Sequence, residues 1–455
     1  MGQEIVPSVT RFISLHQGTR IKKFHVDFQF ESSNDDDVNK WISFVVEKKV
    51  EDLHINFDIG DKHMGSPFYI LPPTIFTCKS LIFLWLKCCK TSFFDSIDLP
   101  VLRTLTLRSI EIQDEELRKL TSSTRLLERL SLFDCSRTTY FKIETSANSN
   151  LKQLDIIETP VHFSTKPMEI NAPSVEKLHF LFFAPRSKYH VKDLTNCLEC
   201  TFDEPQDQPQ ATSWQNTFLP LRYHLVLLQI LPSFAHVRLI RMGNLCVQGL
   251  YKALVRMRMV SLSCTRLEIN ASFQKWELPG IVVLLRACPV VEDLRFVMTP
   301  KHKKIQQFLG EPFDFEPIQI WKNEVNSLVA THLQNLKVVR IKLPGGRNRS
   351  RNLEDVFAKD EFGSELIRGL WNHGKHVRVL FSNVKVKSGG GKGGFSSWIR
   401  FGEISLSRLL ERVELFCMEE KGFLGPLEWE EEGRRFKLQC HSNGAGRASG
   451  SVSKL

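Results

Sequence analysis

The chain has 455 residues, 42% of them hydrophobic and 25% charged, and its formal net charge at pH 7 is +10. This composition is typical of a folded soluble protein that is long enough for one extended repeat array or for two to three compact domains. The 11 cysteines are odd in number and scattered without framework spacing. They indicate reduced thiols inside a cell and exclude a secreted disulfide scaffold.

The positive charge is uneven along the chain. Residues 1–200 contain 25 Lys and Arg against 26 Asp and Glu, so the remaining 36 basic and 25 acidic residues give residues 201–455 a net charge of +11. This excess is compatible with binding of nucleic acid or another anionic ligand. A solvated basic face that keeps a large protein in solution is the favoured interpretation.

The sequence shows neither a signal peptide nor a membrane span. Met1–Phe12 lacks a continuous apolar stretch, and the longest apolar segment, Leu225–Ile240, is interrupted by polar residues and a proline. The C-terminal tripeptide Ser453-Lys454-Leu455 has the form of a peroxisomal targeting signal. It predicts the peroxisome as one possible address.

One six-residue unit recurs in the first 200 residues: an apolar residue, two others, a central Leu, one other and an apolar residue. The central residues are Leu53, Leu84, Leu105, Leu130, Leu154 and Leu178. Their separations of 31, 21, 25, 24 and 24 residues lie mostly within the period of about 20–29 residues of leucine-rich repeats. Because Leu-x-Leu alternates with a period of two, each unit predicts a strand whose leucines point inward. We therefore predict an α/β leucine-rich-repeat solenoid, a curved parallel sheet with helical or irregular return segments and a less regular C-terminal region.

The unit becomes less regular after Phe180, where the polar stretch Asp203–Gln215 predicts a loop. Further copies follow at Val237–Ile240, Leu267–Ile269, Val291–Phe296 and Leu336–Ile341. The glycine-rich stretch Ser388–Gly394 predicts a flexible linker, and Gly444–Leu455 predicts a disordered tail. These changes divide the chain into N-terminal repeats (1–200), less regular repeats (201–330), a third region (331–385) and a Gly-rich linker with a flexible tail (386–455).

Four stretches resemble the plant F-box/leucine-rich-repeat proteins, including those with an FBD region. They are Arg20–Phe24 with Val38–Ile42 and Lys48–Leu53, Leu71–Pro73 with Phe76–Leu81, Leu126–Leu132, and Trp276–Gly280 with Leu284–Pro289. A degenerate FBD-like stretch covers His332–Leu380 and gives the third region its FBD-like character. The resemblance spans about residues 8 to 380.

Members of that family usually begin with an F-box, a module of three helices that docks on the Skp-type adaptor of a cullin ubiquitin ligase. We find no such module before Arg20, so the sequence resembles the substrate-recognition part alone. Adaptor binding is expected only if a longer product supplies an F-box. The resemblance also implies a location in the cytoplasm and nucleus, with the peroxisome as the alternative.

Several short patterns resemble chemical motifs without completing them. Cys197–Cys200 is a lone CxxC without the second pair of ligands that a zinc site needs. His373 and His376 have no further ligand at metal spacing, and the glycine run ending in Lys392 lacks the Ser or Thr of a phosphate-binding loop. We therefore predict that the protein is not an enzyme and uses no cofactor or metal.

Two charged clusters are also ambiguous. A basic cluster surrounds Gly345-Gly346 and fits either phosphate binding or a solvated loop; its members are Arg340, Lys342, Arg347, Arg349 and Arg351. The acidic run Asp35–Asp37 predicts a solvated loop between a strand and a helix.

The residues that follow each central leucine should face outward on the concave side of the solenoid. They form a first row of His54, Trp85, Thr106, Ser131, Asp155 and His179, and a second row, two residues further on, of Asn56, Lys87, Arg108, Phe133, Ile157 and Leu181. The second row ends in three successive apolar residues, which predicts an exposed patch for a protein partner, unless return loops or the C-terminal part cover it. The predicted partner-binding residues are Trp85, Lys87, Arg108, Phe133, Ile157 and Leu181.

The sequence therefore predicts a module that binds another protein, with substrate capture for ubiquitination as its role if an F-box is present in a longer product. One alternative is a stand-alone decoy or scaffold without a ligase role. Another is binding of nucleic acid or an anionic ligand by the basic C-terminal half, although nucleic acid is not the favoured partner. No membrane contact is predicted.

Overall fold

A computed structural model describes residues 5–58, 68–91, 97–110, 112, 114–135, 141–146, 149–158, 167–182, 188–203, 226–250, 261–271, 277–299 and 317–342, with the backbone of five further strands. The chain divides into two compact units, Met1–Val237 (unit 1) and Arg238–Leu455 (unit 2). Several features singled out in the sequence lie outside the described residues: most of Asp203–Gln215, Trp276, Arg347, Arg349, Arg351, His373, His376, Lys392 and the tail Gly444–Leu455. The four-part division of the chain remains a prediction.

Unit 1 consists mainly of short strands. In chain order they are β1 (Lys23–Gln29), β2 (Asp52–Asp58), β3 (Tyr69–Leu71), β4 (Phe83–Lys87), β5 (Cys89–Thr91), β6 (Thr104–Arg108), β7 (Arg129–Phe133), β8 (Phe141–Glu144), β9 (Gln153–Glu158), β10 (Met168–Asn171), β11 (Lys177–Phe182), β12 (Tyr189–Asp193) and β13 (Glu199–Asp203). Its helices are α1 (Ile5–Leu15), α2 (Asp35–Glu47) and α3 (Asp114–Ser123), with 3₁₀ turns at Ser32–Asn34, Pro73–Thr77 and Leu231–Phe234.

Eight of these strands form the main sheet of unit 1, and they are parallel in the order β1-β2-β4-β6-β7-β9-β11-β13. The central leucines of the six predicted units are paired side by side across the sheet, and each is at most 1% exposed. The predicted leucine-rich-repeat fold is confirmed. Strands β1 and β13 add two repeats that the pattern missed, because Phe24 and Cys200 occupy the central position.

Each repeat of unit 1 is tied to the previous one by the same pair of hydrogen bonds. The backbone N–H groups of Arg103 and Thr104 both donate to the carbonyl of Ile82, at 2.9 and 3.1 Å. Glu128 and Arg129 donate in the same way to Arg103. The strands therefore enter the sheet in a common register, which aligns the leucines on one face.

The corners that follow three strands use a left-handed backbone. Cys88, Ser109 and Asp134 come directly after β4, β6 and β7 and have φ values of 56°, 50° and 52°. The N–H of Ser109 donates to the carbonyl of Phe133 at 2.7 Å, and the N–H of Asp134 donates to that of Ile157 at 2.9 Å. These bonds satisfy backbone groups where the chain leaves the sheet.

The return segments contain helices and additional strands. Strands β8, β10 and β12 form a second parallel sheet, and β3 pairs with β5, neither of which the sequence pattern predicted. Asp35–Asp37 forms the first turn of α2 rather than a loop, where negative charge favours the helix dipole. The opposite side of α2 buries Trp41, whose indole N–H donates to Thr10 Oγ1 of α1 at 3.1 Å.

Unit 2 continues the repeat pattern. Its elements are β14 (Leu239–Met242), α4 (Asn244–Gly249), β15 (Arg266–Ala271), α5 (Leu278–Ala287), β16 (Asp293–Met298), α6 (Pro317–Thr331), β17 (Val338–Lys342), β18 (Val377–Ser382), β19 (Gly394–Ile399), β20 (Val413–Glu419), β21 (Gly422–Glu432) and β22 (Arg435–His441). Strands β14 to β18 and then β20 are parallel, and β21, β22 and β19 continue in antiparallel pairs.

The helices of unit 2 meet at a buried polar contact. Glu277 is fully buried and accepts a hydrogen bond from Asn244 Nδ2 at 2.6 Å. A β-carbon at Gly280 would collide with the carbonyl oxygen of Val247, so glycine is required where α5 approaches α4. The stretch that begins at Glu277 thus has a packing role. Among the helices in the described part of the chain, none has the length and apolar character needed to cross a bilayer.

Candidate functional site

The face of the main sheet of unit 1 opposite the leucines carries three rows of side chains, and we call it the polar face of unit 1. The entry row is Lys23, Asp52, Phe83, Thr104, Arg129, Gln153, Lys177 and Glu199; the central row is His25, His54, Trp85, Thr106, Ser131, Asp155, His179 and Thr201; the exit row is Asp27, Asn56, Lys87, Arg108, Phe133, Ile157, Leu181 and Asp203. Neighbours within a row lie on adjacent strands, whose spacing is about 4.8 Å.

The six residues predicted to bind a partner lie together on the polar face of unit 1. Trp85 is in the central row of β4, and Lys87 follows it in the exit row of the same strand. The exit row then continues through Arg108, Phe133, Ile157 and Leu181 on successive strands. The register inferred from the leucines therefore agrees with the pairing of the strands. The role of these residues in binding stays a prediction.

The predicted exposed apolar patch in the exit row is wrong in part. Ile157 is only 8% exposed, since Phe133 and Leu181 flank it on both neighbouring strands. The guanidinium carbon of Arg108 lies 5.8 Å from the centre of the Phe133 ring, in a cation–π arrangement that covers part of that ring. The exit row thus offers a basic group over an aromatic ring and a half-buried Leu181, rather than three open apolar side chains.

The aromatic groups of the polar face concentrate instead on β1, β2 and β4. The rings of His54 and Trp85 are stacked, with centroids 3.8 Å apart and an interplanar angle of 19°. His25 lies next in the row, its ring centroid 5.4 Å from that of His54. Burial against these neighbours and the charge of His25 lower the pKa of His54. The neutral imidazole, which stacks well on an indole, is therefore favoured.

Phe83 completes this group, which we call the aromatic cluster (His25, His54, Phe83 and Trp85). It is 47% exposed and precedes Trp85 by two residues on β4, so both rings are on the polar face. Sequence reasoning missed it as a site residue, although the alternation of the strand places it beside Trp85. A large, exposed aromatic ring next to a stacked indole is the kind of surface that anchors protein partners.

Asp52 contacts His25 at the edge of the aromatic cluster. Its carboxylate contacts His25 Nε2 at 3.0 Å and Lys23 Nζ at 3.1 Å. Burial acts to raise the pKa of Asp52, but the hydrogen bonds from His25 and Lys23 outweigh it and leave the pKa below its ordinary value. The carboxylate is therefore ionised near neutral pH and fixes the position of the His25 ring.

A second polar group crosses three strands in the central row. Asp155 Oδ2 accepts a hydrogen bond from Ser131 Oγ at 2.6 Å, and its Oδ1 contacts Gln153 Nε2 and His179 Nδ1, each at 2.9 Å. Burial acts to raise the pKa of Asp155, but the hydrogen bonds from His179, Gln153 and Ser131 bring it below its ordinary value. Ser131 is only 4% exposed. The sequence predicts that this side chain faces outward, and it does so, but its neighbours in the row cover it.

This group contains a serine, a histidine and an aspartate, but in an order unlike that of a hydrolytic triad. In such a triad the imidazole takes the proton of the serine hydroxyl and the carboxylate orients the imidazole. Here the carboxylate of Asp155 lies between the hydroxyl and the imidazole. The arrangement orients side chains across β7, β9 and β11 and does not activate Ser131 as a nucleophile.

The CxxC of Cys197 and Cys200 forms the first four positions of a further repeat unit. Cys197 occupies the first apolar position, and Cys200 pairs with Leu178 at the central position. Both are fully buried, and burial raises the pKa of Cys197 to about 12. Cysteine serves here as a small apolar side chain, and its thiol is held in the unreactive protonated form. Within the described ranges, no group of three His, Cys, Asp or Glu is placed to hold a metal ion.

Comparison with known proteins supports the leucine-rich-repeat fold that the strand pairing shows. The family model described as At1g61320/AtMIF1, LRR domain, matches residues 12–342. The FBD-associated F-box protein At4g13985 of Arabidopsis thaliana is 24% identical over 305 residues, which are 63% of this chain and 61% of that protein. The FBD-associated F-box protein At1g66310 of Arabidopsis thaliana is 22% identical over 317 residues, which are 64% and 63% of the two chains.

A shorter match is more similar: the putative FBD-associated F-box protein At5g22720 of Arabidopsis thaliana is 30% identical over 129 residues, 28% of this chain and 27% of that protein. The chain thus spans less than two thirds of the length of these relatives. The family model, in contrast, covers most of the chain, including all the strands of the main sheet of unit 1. The chain therefore belongs to the leucine-rich-repeat family of the At1g61320/AtMIF1 type. It is similar to F-box proteins of Arabidopsis thaliana that are named FBD-associated.

Proposed function

We propose that this chain is a non-enzymatic protein-binding module whose partner docks on the polar face of unit 1. The observation that carries the proposal is the aromatic cluster, in which an exposed Phe83 lies beside the stacked rings of Trp85 and His54. Arg108 over Phe133 extends the surface toward the exit row. Aromatic and arginine side chains dominate the binding energy of protein interfaces, whereas aliphatic side chains contribute less.

The six predicted residues do not contribute equally in this proposal. Trp85 and Arg108 present a ring and a guanidinium on the polar face. Lys87 is two residues after Trp85 on β4 and is paired with Arg108 in the exit row. Phe133 and Leu181 are half-buried, and Ile157 is buried, so these three present less area to a partner. We therefore place the centre of the interface at β4 and β6 and its edge at β9 and β11.

Affinity capture from plant extract with paired variants tests the proposal. The bait is the full chain, and the test variants are Phe83→Ala and Trp85→Ala. The matched control is Phe12→Ala, which removes a ring that is 53% exposed on α1, away from the polar face. We expect proteins retained by the wild type and the control to be lost from both test variants. Retention of every captured protein by both test variants would exclude the aromatic cluster as the contact.

The names of the relatives extend the proposal to ubiquitination. Each of the three relatives compared above is named an F-box protein, and such proteins present substrates to a cullin ubiquitin ligase. We propose that the partner on the polar face is a substrate of this kind when an F-box accompanies the repeats. Without that module the same surface acts as a decoy or scaffold. Reconstituted ubiquitination of a captured partner, with and without an F-box fused to the chain, separates the two roles.

The compartment is a separate part of the proposal. We propose the cytoplasm and nucleus, with the peroxisome as the alternative indicated by Ser453-Lys454-Leu455. A fluorescent protein fused before Met1 leaves that tripeptide free. Diffuse fluorescence before and after deletion of Leu455 supports the cytoplasm and nucleus. Punctate fluorescence that becomes diffuse on deletion supports the peroxisome.

A further inference from the structure

The main sheet of unit 2 also has a face opposite its buried residues, and we call it the polar face of unit 2. On the four strands β14 to β17 its central row is Arg241, Glu268, Arg295 and Arg340, in register from strand to strand. The buried residues Ile240, Leu267, Leu294 and Val339 alternate with this row. Three of four successive side chains in the row are therefore guanidinium groups.

Positive charge exceeds negative charge on this face. Arg266 is exposed in the entry row of β15, and Lys342 is half-buried in the exit row of β17. The acidic residues among these rows on the four strands are Glu268 and Asp293. Five basic side chains against two carboxylates leave an excess of three positive charges on a patch four strands wide.

The two carboxylates hold the guanidinium groups in place. Glu268 Oε2 lies 3.4 Å from Arg295 Nη1 and 3.8 Å from Arg241 Nε. Arg340 Nε lies 3.0 and 3.1 Å from the two carboxylate oxygens of Asp293. Each guanidinium has five N–H donors in a fixed fork. The donors of Arg295 and Arg340 outnumber those that their contacts with Glu268 and Asp293 use, so these two arginines have capacity for further carboxylate oxygens.

We propose that the polar face of unit 2 binds an acidic, extended peptide segment of a partner protein, with Arg241, Arg295 and Arg340 contacting its carboxylates. The arginines are 32%, 41% and 39% exposed in their side chains, so they reach solvent while their stems pack on the sheet. Arg295 and Arg340 are on adjacent strands, about 4.8 Å apart, and alternate residues of an extended peptide are about 6.6 Å apart on one side. Flexible arginine side chains span that difference.

A carboxylate peptide fits this face better than nucleic acid does. Glu268 and Asp293 repel any anion that approaches them. A peptide with alternating acidic and neutral residues can place its neutral side chains opposite these carboxylates, whereas a phosphate backbone carries a charge at every nucleotide. Single-stranded nucleic acid also binds through aromatic rings on which its bases stack. The outward residues of β14 to β17 in the entry, central and exit rows include no aromatic side chain.

Fluorescence anisotropy with the full chain tests the proposal directly. The probe is a labelled synthetic peptide of alternating Glu and Ser, and the competing probe is a labelled oligothymidylate of equal charge. The test variant is Arg295→Gln with Arg340→Gln. The control variant is Lys119→Gln with Arg125→Gln, which removes the same charge from exposed positions of and beside α3. Thermal melting followed by circular dichroism confirms that each variant is folded.

We expect the peptide to bind the wild type and the control equally, and the test variant more weakly by about tenfold for each guanidinium removed. Arg295→Lys with Arg340→Lys keeps the charge but loses the planar fork, and it should recover part of the affinity. Unchanged peptide affinity in the Gln variant, or no binding of the peptide by the wild type, overturns the proposal. Tighter binding of oligothymidylate than of peptide overturns the assignment of the occupant. All of the test substitutions are in unit 2. Failure of this proposal would therefore not contradict the proposal for the polar face of unit 1.

Discussion

Three rows of outward side chains cross the main sheet of each unit, and the two sets differ in composition. The 24 positions of unit 1 carry five basic and five acidic residues with Phe83, Trp85, Phe133 and three histidines. The outward positions of β14 to β17 carry five basic and two acidic residues and no aromatic ring. One repeat backbone therefore supports two kinds of surface, because side chains on the outward face do not affect the packing of the leucines. The excess charge of the second half of the sequence is concentrated in part on one such face.

The largest effects should come from the buried face, where the two units are alike. Leu130→Ala in unit 1 and Leu294→Ala in unit 2 should each lower the free energy of unfolding by about 2–5 kcal/mol, because both side chains are 0% exposed. Thr106→Ala, on the polar face of unit 1, should cost less than about 1 kcal/mol. Urea unfolding measures all three. Equal costs for Leu130→Ala and Thr106→Ala would show that the strand register is wrong.

The central rows of the two units should differ in how much one carboxylate stabilises the fold. Asp155→Asn should cost about 1.5–3 kcal/mol at pH 7, because the carboxylate is shielded and contacts Ser131, Gln153 and His179. Glu268→Gln in unit 2 should cost less than about 1 kcal/mol, because its contacts with Arg241 and Arg295 are long.

The cost of Asp155→Asn should also depend on pH. The pKa of Asp155 is lower in the folded than in the unfolded chain, so its stabilising contribution is complete above its unfolded pKa of about 4. As the pH falls through the folded pKa, the carboxylate becomes protonated in the folded chain as well, and the contribution is lost. Urea unfolding of wild type and variant at pH 7 and near pH 3 should therefore show a shrinking difference. A difference that is constant with pH would mean that Asp155 acts through shape and not through charge.

The affinities of the two polar faces for their partners should differ in their dependence on salt concentration. Affinity of the Glu-Ser peptide for the polar face of unit 2 should fall by about tenfold or more between low and high salt, because guanidinium–carboxylate contacts near the surface are screened. Affinity of a captured partner for the aromatic cluster should change by less than about threefold, because burial of aromatic rings depends little on salt. Isothermal titration at several salt concentrations measures both. Equal salt dependence at the two faces would remove the distinction between them.

The smallest expected effect concerns the contact of Arg108 with Phe133. Their separation of 5.8 Å predicts a coupling of about 0.5–1 kcal/mol at a partly exposed site. A double-mutant cycle measures this coupling by comparing the unfolding free energies of the wild type, Arg108→Gln, Phe133→Leu and the double variant. A coupling near zero would show that Arg108 does not rest on the ring in solution, and would leave Phe133 open to a partner.

The sequence was sufficient for the strand register of six repeats, because the alternation of leucines depends only on neighbouring residues along the chain. It therefore placed Trp85 and the five exit-row residues on a common face. It failed where burial depends on residues from other strands, as for Ile157 between Phe133 and Leu181. It also missed β1 and β13, since Phe24 and Cys200 replace the central leucine.

Other elements had no signal that a single sequence could reveal. Strands β8, β10 and β12 are four or five residues long, and they form a sheet only because successive return segments stack. An acidic run is equally typical of a solvated loop and of the first turn of a helix, so Asp35–Asp37 was assigned to the wrong one of the two. Such choices are decided by packing, here by the burial of Trp41 and Ile42 on α2.

The paired N–H donors at the start of each strand make the repeats interchangeable. The two donors of one repeat need only a carbonyl at the equivalent position of the repeat before it, as Ile82 provides for Arg103 and Thr104 and Arg103 provides for Glu128 and Arg129. Duplication or loss of one whole repeat in the gene would restore the same bonds at the new junction. It would lengthen or shorten the outward surface by one strand, about 4.8 Å. Insertion of part of a repeat would instead interrupt the ladder, so gain or loss of whole repeats is the route by which such a gene could acquire a surface of different width.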